Sequence, residues 1–351
     1  MNLSFYRKVN WYVMKFPKNI YLLNKRCFAS AEKILLAQRL NERSLLRLSG
    51  KDANLYLQGL ITNDMKHLES GASSMYTMFL NSKGRVLYDS IIYNTNIENT
   101  FYVECDSNAS LYLKDHLMHF KVRRKVNIDL LSDEFSVWAL AFKDYIINPK
   151  DVYNYKPVLN ELKKNLPQLI ITNDPRLPSM GLRVLTPKDY NLVNEIKKIA
   201  DVNVQEENFY KFLRYNLGIG EGLNELPLEK CFPMEINGDY LHGISFHKGC
   251  YVGQELTART YHTGVIRKRI MPLKFNEEVS ITQPGIPIFS VSQLTKAIGK
   301  LFGVEQTSGL GLLRIEEALK ADELITFKKK CNTHRPFWWP NEAPKMRMNT
   351  G

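Results

Sequence analysis

From Ser44 onward the chain switches between short strand-like apolar runs and stretches whose apolar positions recur at the helical spacing near 3.6. Leu45 to Leu48 reads as a strand. SGKDANLYLQGL then opens a helix, with Ala53, Tyr56, Leu57 and Leu60 on one face and Asp52 or Ser49 placed to cap its free amides. MYTMFLNSKGRVLYDSIIY predicts two strands joined at Asn81-Ser82-Lys83-Gly84, with Gly84 available for positive φ, and FYVEC a third strand of the same meander. Asp106 or Ser107 should cap a helix that runs to about Phe120 and buries Leu113, Leu117 and Phe120. VNIDLL and FSVWALAF resume the sheet.

The stretch from Lys143 to Ile170 is polar and broken by Pro149, Pro157 and Pro167, and reads as a variable connection. DPRLPSMGLRVL returns to strand character, and PKDYNLVNEIKKIA is a helix with Leu192, Ile196 and Ile199 on one face. A further helix is expected from Glu206 to Tyr215, running into GIGEG. From Val265 the pattern becomes short strands with Gly and Pro turns, as in a small antiparallel barrel. The class is therefore α+β. The expected organisation is a presequence at 1–28, an α/β domain at 29–264, a C-terminal β-barrel domain at 265–340 and a tail at 341–351.

Charge changes this picture only at the N-terminus. The net +12 includes Arg7, Lys8, Lys15, Lys18, Lys25 and Arg26, set among aromatic and aliphatic residues with no acid before Glu32. That composition fits a mitochondrial presequence. Removing it leaves +6, weak support for a polyanion partner, so nucleic acid is not expected. KVRRK (121–125) and IRKR (266–269) read as solvated faces. No apolar run reaches the ~18 residues that would suggest a membrane span. The five cysteines, Cys27, Cys105, Cys231, Cys250 and Cys331, include no CxxC pair, which argues against a disulfide framework and a self-contained metal ligand set.

Chemistry concentrates in FHKGCYVGQELTART (246–260). Cys250 stands alone between Gly249 and Tyr251, with His247 and Lys248 just before it. Gly249 can turn the chain into a helix over YVGQELTAR, placing Cys250 near its first turn, where free amides and cations favour a thiolate. A buried, inert cysteine is the competing reading, and no Cys/His/Asn protease signature accompanies it. Thr62, Asn63, Asp64 and Asp89 lie at element junctions that can line a cleft or simply make turns. GIGEG (218–222) is not GxGxxG, and no dinucleotide site is inferred from it. Glu221 and Glu235 are loop carboxylates able to grip an amino-pyrimidine edge through paired hydrogen bonds, or to remain solvated.

Five segments together resemble the folate-binding aminomethyltransferase-like (YgfZ/GcvT-related) family: DANLYLQGLITND, FLNSKGRVLYD, DPRLPSMGLRVL, FPMEIN and KGCYVGQELTARTYHTGVIRKR. The last segment is similar to the YgfZ-like branch, whose mitochondrial members assemble iron–sulfur clusters. The resemblance implies a pseudo-symmetric folate-binding-like domain followed by the barrel, and a central cleft for tetrahydrofolate faced by Asn63, Asp64, Asp89, Arg214 and Glu235. It also implies a matrix location and a late role in [4Fe–4S] protein maturation, with A-type scaffold partners and clients such as aconitase and lipoate synthase. Cys250 would be the metal ligand offered to a cluster shared with the partner. Two positions depart from the transferases. Tyr88-Asp89 stands where they carry paired acids, and Gly181-Leu182-Arg183 where they place glycine-aromatic-glutamate. An assembly factor rather than an enzyme is therefore expected, with a tetrahydrofolate-dependent aminomethyl transferase as the alternative.

Overall fold

The computed structural model describes residues 34–147, 154–199, 203–280 and 283–341. The expected presequence, Cys27 and nearly all of the expected tail lie outside them. The described chain begins with β1 (Ile34–Arg39) and β2 (Arg43–Ser49), then α1 (Ala53–Gln58) and α2 (Lys66–Glu69). The meander β3 (Ser74–Leu80), β4 (Val86–Asn94) and β5 (Thr100–Asp106) leads to α3 (Ser110–Lys121), β6 (Asn127–Leu130) and β7 (Phe135–Phe142). Next come α4 (Lys143–Ile147), α5 (Lys156–Asn165), β8 (Ile170–Asn173), β9 (Leu182–Pro187), α6 (Leu192–Ile199) and β10 (Asn203–Glu206). Helices α7 (Tyr210–Leu217) and α8 (Gln254–Thr263) precede β11 (Lys268–Phe275). The remainder is β12 (Ile286–Ser290), β13 (Gly299–Glu305), β14 (Ser308–Arg314), α9 (Ile315–Lys320), β15 (Leu324–Thr326) and β16 (Lys329–Thr333).

Two five-stranded sheets form the α/β part, in the orders β10-β1-β7-β9-β8 and β3-β4-β5-β2-β6. Strand alternation decides which side chains face which layer. Leu36 of β1 and Leu45 of β2 join the core between the sheets. Leu35 and Ala37 turn outward onto Leu159, Leu162, Leu192 and Ile196 of α5 and α6. Leu46 and Leu48 turn the other way onto Tyr56, Leu57, Leu113 and Leu117 of α1 and α3. The layering is helix, sheet, sheet, helix, with each sheet buried on both faces. Strands β11-β14-β13-β12-β15-β16 close into an antiparallel barrel. It adjoins the α/β part where Ile270 N–H donates to the Glu235 carbonyl at 2.8 Å. Trp338 Nε1 donates to the Leu217 carbonyl at 2.9 Å.

Several local expectations change for identifiable reasons. Helix α1 stops at Gln58, so Leu60 lies beyond it. Asp52 occupies the N-cap without a capping bond, because its carboxylate accepts from the distant Lys125 N–H at 2.7 Å. Asp106, by contrast, accepts from Asn108 N–H and caps the short turn that leads into α3. The stretch 143–170 contains α4 and α5, with Pro157 in the first turn of α5, where a missing N–H costs no helical bond. Glu206 belongs to β10, paired in parallel with β1, so α7 starts only at Tyr210.

Candidate functional site

The loop bearing Cys250 is fastened at several points. Lys248 Nζ donates to three carbonyl oxygens, Gln58 at 2.7 Å, Ile61 at 2.8 Å and Asn63 at 2.6 Å. These carbonyls lie at and just past the C-terminal end of α1, where orphan acceptors and the helix dipole favour a cation. Burial pulls the Lys248 pKa down to about 8, against the Asp64 carboxylate, which favours the charged form. Val252 N–H donates to the Gly59 carbonyl at 3.1 Å. Gln254 Oε1 accepts from Tyr251 N–H at 3.2 Å, ahead of α8. Phe246 stacks on Tyr261 of α8 with ring centroids 3.6 Å apart.

The glycine that needs to be glycine is Gly253, not Gly249. Gly253 has φ +80°, and a Cβ there would sit 2.3 Å from the Asn81 carbonyl, beside Gly84 of the β3–β4 turn. Gly249 has no positive φ, and a Cβ there would meet nothing within 4 Å. Because α8 begins at Gln254, Cys250 lies ahead of the helix rather than in its first turn, and Gly253 makes the turn. Cys250 is exposed, as are His247 and Gly249, so the thiol is open to approach from outside. Cys105, Cys231 and Cys331 are buried, and among the described residues no three His, Cys, Asp or Glu side chains gather as a metal site.

The five residues expected to face one cleft occupy four settings. Asn63 is a buried staple: its Nδ2 donates to the carbonyls of Tyr76 at 2.7 Å and His242 at 2.8 Å, and its own carbonyl receives Lys248. Asp64 Oδ1 accepts from Gln58 Nε2 and from Lys66 N–H, both at 3.0 Å. Glu235 lines a groove beside the barrel, where its carboxylate accepts from Phe232 N–H at 3.0 Å. Only Asp89 and Arg214 share a setting, the charged interior between the two sheets.

That interior holds four buried guanidiniums, Arg43, Arg176, Arg183 and Arg214, among Asp89, Glu104, Asp174, Glu221 and Glu225. Arg176 grips both Asp174 oxygens and donates to Glu221 at 2.7 Å. Arg214 holds Glu225 through two bonds of 2.6 and 2.8 Å. Asp89 accepts from Gly222 N–H at 2.9 Å and lies 3.4 Å from Arg43. Burial alone would raise Glu221, but Arg43, Arg176, Arg214 and Arg183 overcome it and hold the carboxyl well below its usual range. For Asp89 burial wins over Arg43, and its pKa is raised. A carboxylate that reads a pterin edge must offer two free acceptor positions. Here Glu221 is taken by Arg176, Arg183 and Tyr210, and Glu225 by Arg214, Tyr215 and the Glu221 amide. Arg183 fills the centre with no exposed surface. Glu221 and Glu225 are thus committed to internal donors, whereas Asp89 Oδ2, Arg43 Nη1 and Nη2, Arg183 Nη1 and Arg214 Nε are buried without a hydrogen-bond partner among the described residues.

Sequence reasoning missed Arg43, Glu104, Asp174, Arg176 and Glu225 altogether. The Asp-x-Arg spacing inside DPRLP was the one local signal for any of them. It also read Lys248 as a source of positive potential, without the three acceptors that make it a clamp.

Similarity to known proteins agrees with this arrangement. Residues 40–141 match the GCVT N-terminal domain, and residues 267–341 match the CAF17 C-terminal beta-barrel domain. The aminomethyltransferase T of the glycine cleavage system from Bartonella henselae shares the fold at 14% identity, with a TM-score of 0.64 over 91% of this chain and 89% of that one. The mitochondrial iron–sulfur cluster assembly factor IBA57 of Mus musculus is 36% identical over 87% of this chain and 86% of its own length. That of Homo sapiens is 33% identical over 86% and 85%. With the aminomethyltransferase fold, the closing barrel and identity of this extent along nearly the whole length, the chain belongs to the family of the mitochondrial iron–sulfur cluster assembly factors IBA57.

Proposed function

We propose that this protein is an iron–sulfur cluster assembly factor of the mitochondrial matrix that offers Cys250 as one ligand to a cluster shared with an A-type scaffold partner. The observation that carries this reading is the exposed thiol on a loop clamped by Lys248. An iron–sulfur cluster takes about four cysteine-type ligands. One thiolate, even with His247 next to it, leaves a cluster under-coordinated, and a partner's cysteines complete it. The cluster is cargo: the thiol gives up its proton to solvent on ligation, and the two proteins stay joined while the cluster bridges them. The anchored loop keeps the sulfur's position defined, so little ordering cost is left for the moment of binding. The recipients would be [4Fe–4S] enzymes.

The test is anaerobic reconstitution with iron and sulfide in the presence of an A-type scaffold, followed by visible absorption and size-exclusion chromatography. The wild type should form a coloured heterocomplex that chelation dissolves, and Cys250→Ser should not. A stoichiometric cluster held stably by the protein alone, or a heterocomplex formed by the serine variant, would overturn the shared-ligand mechanism.

A further inference from the structure

The IRKR cluster divides on folding. Arg269 turns inward and grips both Asp239 oxygens at 2.7 Å. Arg267 and Lys268 instead line a cavity of about 490 Å³ between α8 and the start of the barrel. A second cavity, of about 580 Å³, adjoins the first and shares Phe232, Glu235, Lys268 and Arg314 with it. Together they make one groove along the junction.

Two features of this groove call for a partner. The first is charge. Lys268 and Arg314 are directly opposed in the β11–β14 register. Like charges facing each other across an antiparallel pair are unfavourable unless something neutralises them. Lys300, Lys230 and Arg85 extend the positive field along the second cavity. Among the described residues no carboxylate forms an ion pair with Lys268, Arg314, Lys300 or Lys230. Glu235 is the sole acid on either lining. The second feature is apolar. The wall of the first cavity includes Leu256, Ile266 and Val265, and Val265 is 73% exposed. An exposed aliphatic side chain on the wall of a concave, charge-rimmed surface is the profile of a protein contact.

The position of the groove supplies its relevance. Leu256, Thr257 and Thr260 of α8 form one wall, and the same helix begins four residues after Cys250. A helix rises about 1.5 Å per residue, so Thr260 stands about 9 Å along α8 from Gln254. A protein that reaches the thiol therefore has this groove within the footprint of an ordinary interface, which takes in about 20–30 residues a side.

We propose that the groove docks an acidic segment of the cluster-sharing partner, with an apolar side chain seated against Val265 and Ile266 and its carboxylates neutralising the Lys268–Arg314 pair. This rests on the shared-cluster reading for the partner's identity. It adds a contact that forms without iron or sulfide and that orients the partner before the cluster arrives. Such a contact is salt-sensitive and weak alone.

The test uses the full metal-free chain with a metal-free A-type scaffold, by calorimetry at low and high salt. A fluorescein-labelled peptide carrying phenylalanine within a glutamate run serves as a second probe. Lys268→Glu/Arg314→Glu should weaken both interactions by about tenfold or more, the scale expected from reversing close charge pairs. The single exposed change Lys300→Glu should weaken them in the same direction, and thermal unfolding of each variant reports whether the barrel is intact. Cys250→Ser should dock like the wild type while failing to form the cluster-bridged complex, which separates the two readings. Apo docking that is undetectable, that is indifferent to these reversals in folded protein, or that a short DNA duplex competes as well as the acidic peptide would overturn the groove assignment. The cysteine's role would stand or fall separately.

Discussion

Lys248 Nζ donates to the carbonyl oxygen of Asn63 at 2.6 Å, joining the loop that presents Cys250 to the segment that follows α1. Its two other protons go to Gln58 and Ile61, so one ammonium satisfies three main-chain acceptors at once. Replacing Lys248 with Met keeps the aliphatic stem and removes all three bonds. Hydrogen bonds to a charged group contribute about 1.5–3 kcal/mol each and are not additive, so a loss of at least that size is expected. Denaturant unfolding measures it, and amide exchange over residues 246–253 should accelerate. Arg should not restore the wild-type values, because its planar fork cannot converge on three clustered carbonyls.

The two loop glycines should behave oppositely. Gly253→Ala places a Cβ 2.3 Å from the Asn81 carbonyl at φ +80°, and is expected to cost about 1–3 kcal/mol. Gly249→Ala enters open space and should stay within about 0.5 kcal/mol of wild type. Equal effects at the two sites in urea titrations would mean that the packing of Gly253 on the β3–β4 turn is not what holds the loop.

Thiol chemistry separates Cys250 from the buried cysteines. Burial pushes Cys231 and Cys331 up to about 12 and also raises Cys105. Relative to an ordinary thiol, a shift of that size cuts the thiolate fraction at neutral pH on the order of a thousandfold, before access is counted. Alkylation of native protein followed by peptide mass mapping should label Cys250 first among these four. Comparable early labelling at Cys231 would contradict the burial.

The charged interior sets the acid limb of stability. Glu221 and Asp174 have pKa values below the ordinary carboxylate range, burial being outweighed by their arginines. Each contributes stability that is present above its unfolded-state value of about 4 and is lost as pH falls toward the depressed folded value. Asp89, raised by burial, acts in the opposite sense: its contribution is present below its unfolded value and lost as pH rises through the folded one. Glu221→Gln should lower stability at neutral pH by about 3–5 kcal/mol, since it leaves buried guanidiniums under-paired. It should also flatten the fall in unfolding free energy between pH 5 and pH 3, a window that brackets about pKa 4. An unchanged acid slope would remove Glu221 from that role.

Calorimetric titration with tetrahydrofolate should give no micromolar binding, because Glu221 and Glu225, the carboxylates able to read a pterin edge, are occupied by internal partners. Micromolar affinity with turnover of an aminomethyl donor would instead favour the transferase reading.

The features legible in the amino-acid sequence are local. The near-continuous apolar runs MYTMFL and VLYDSIIY set β3 and β4, and Asn81-to-Gly84 sets their turn, with Gly84 at φ +73°. The helical spacing of Leu113 and Leu117 sets the buried face of α3, and the Gly/Pro rhythm after Val265 sets the barrel strands. Such features depend on steric preference and burial over a few neighbouring residues, so they are legible without knowing what packs against them. Cys250 stood out in the same way, as a lone thiol in a polar, glycine-flanked loop.

Which charges are buried, and with whom, follows from contacts between distant segments. Arg183 and Glu221 come from β9 and from the turn after α7, and they meet only through tertiary packing. Asn63 and Asp64, adjacent in sequence, have separate tasks because one side chain enters the interior and the other does not. Lys268 and Arg314 face each other only through strand register. A buried charge is tolerated only where a counter-charge or convergent acceptors arrive from elsewhere in the fold. Those partners are distant along the chain, and no local pattern specifies them.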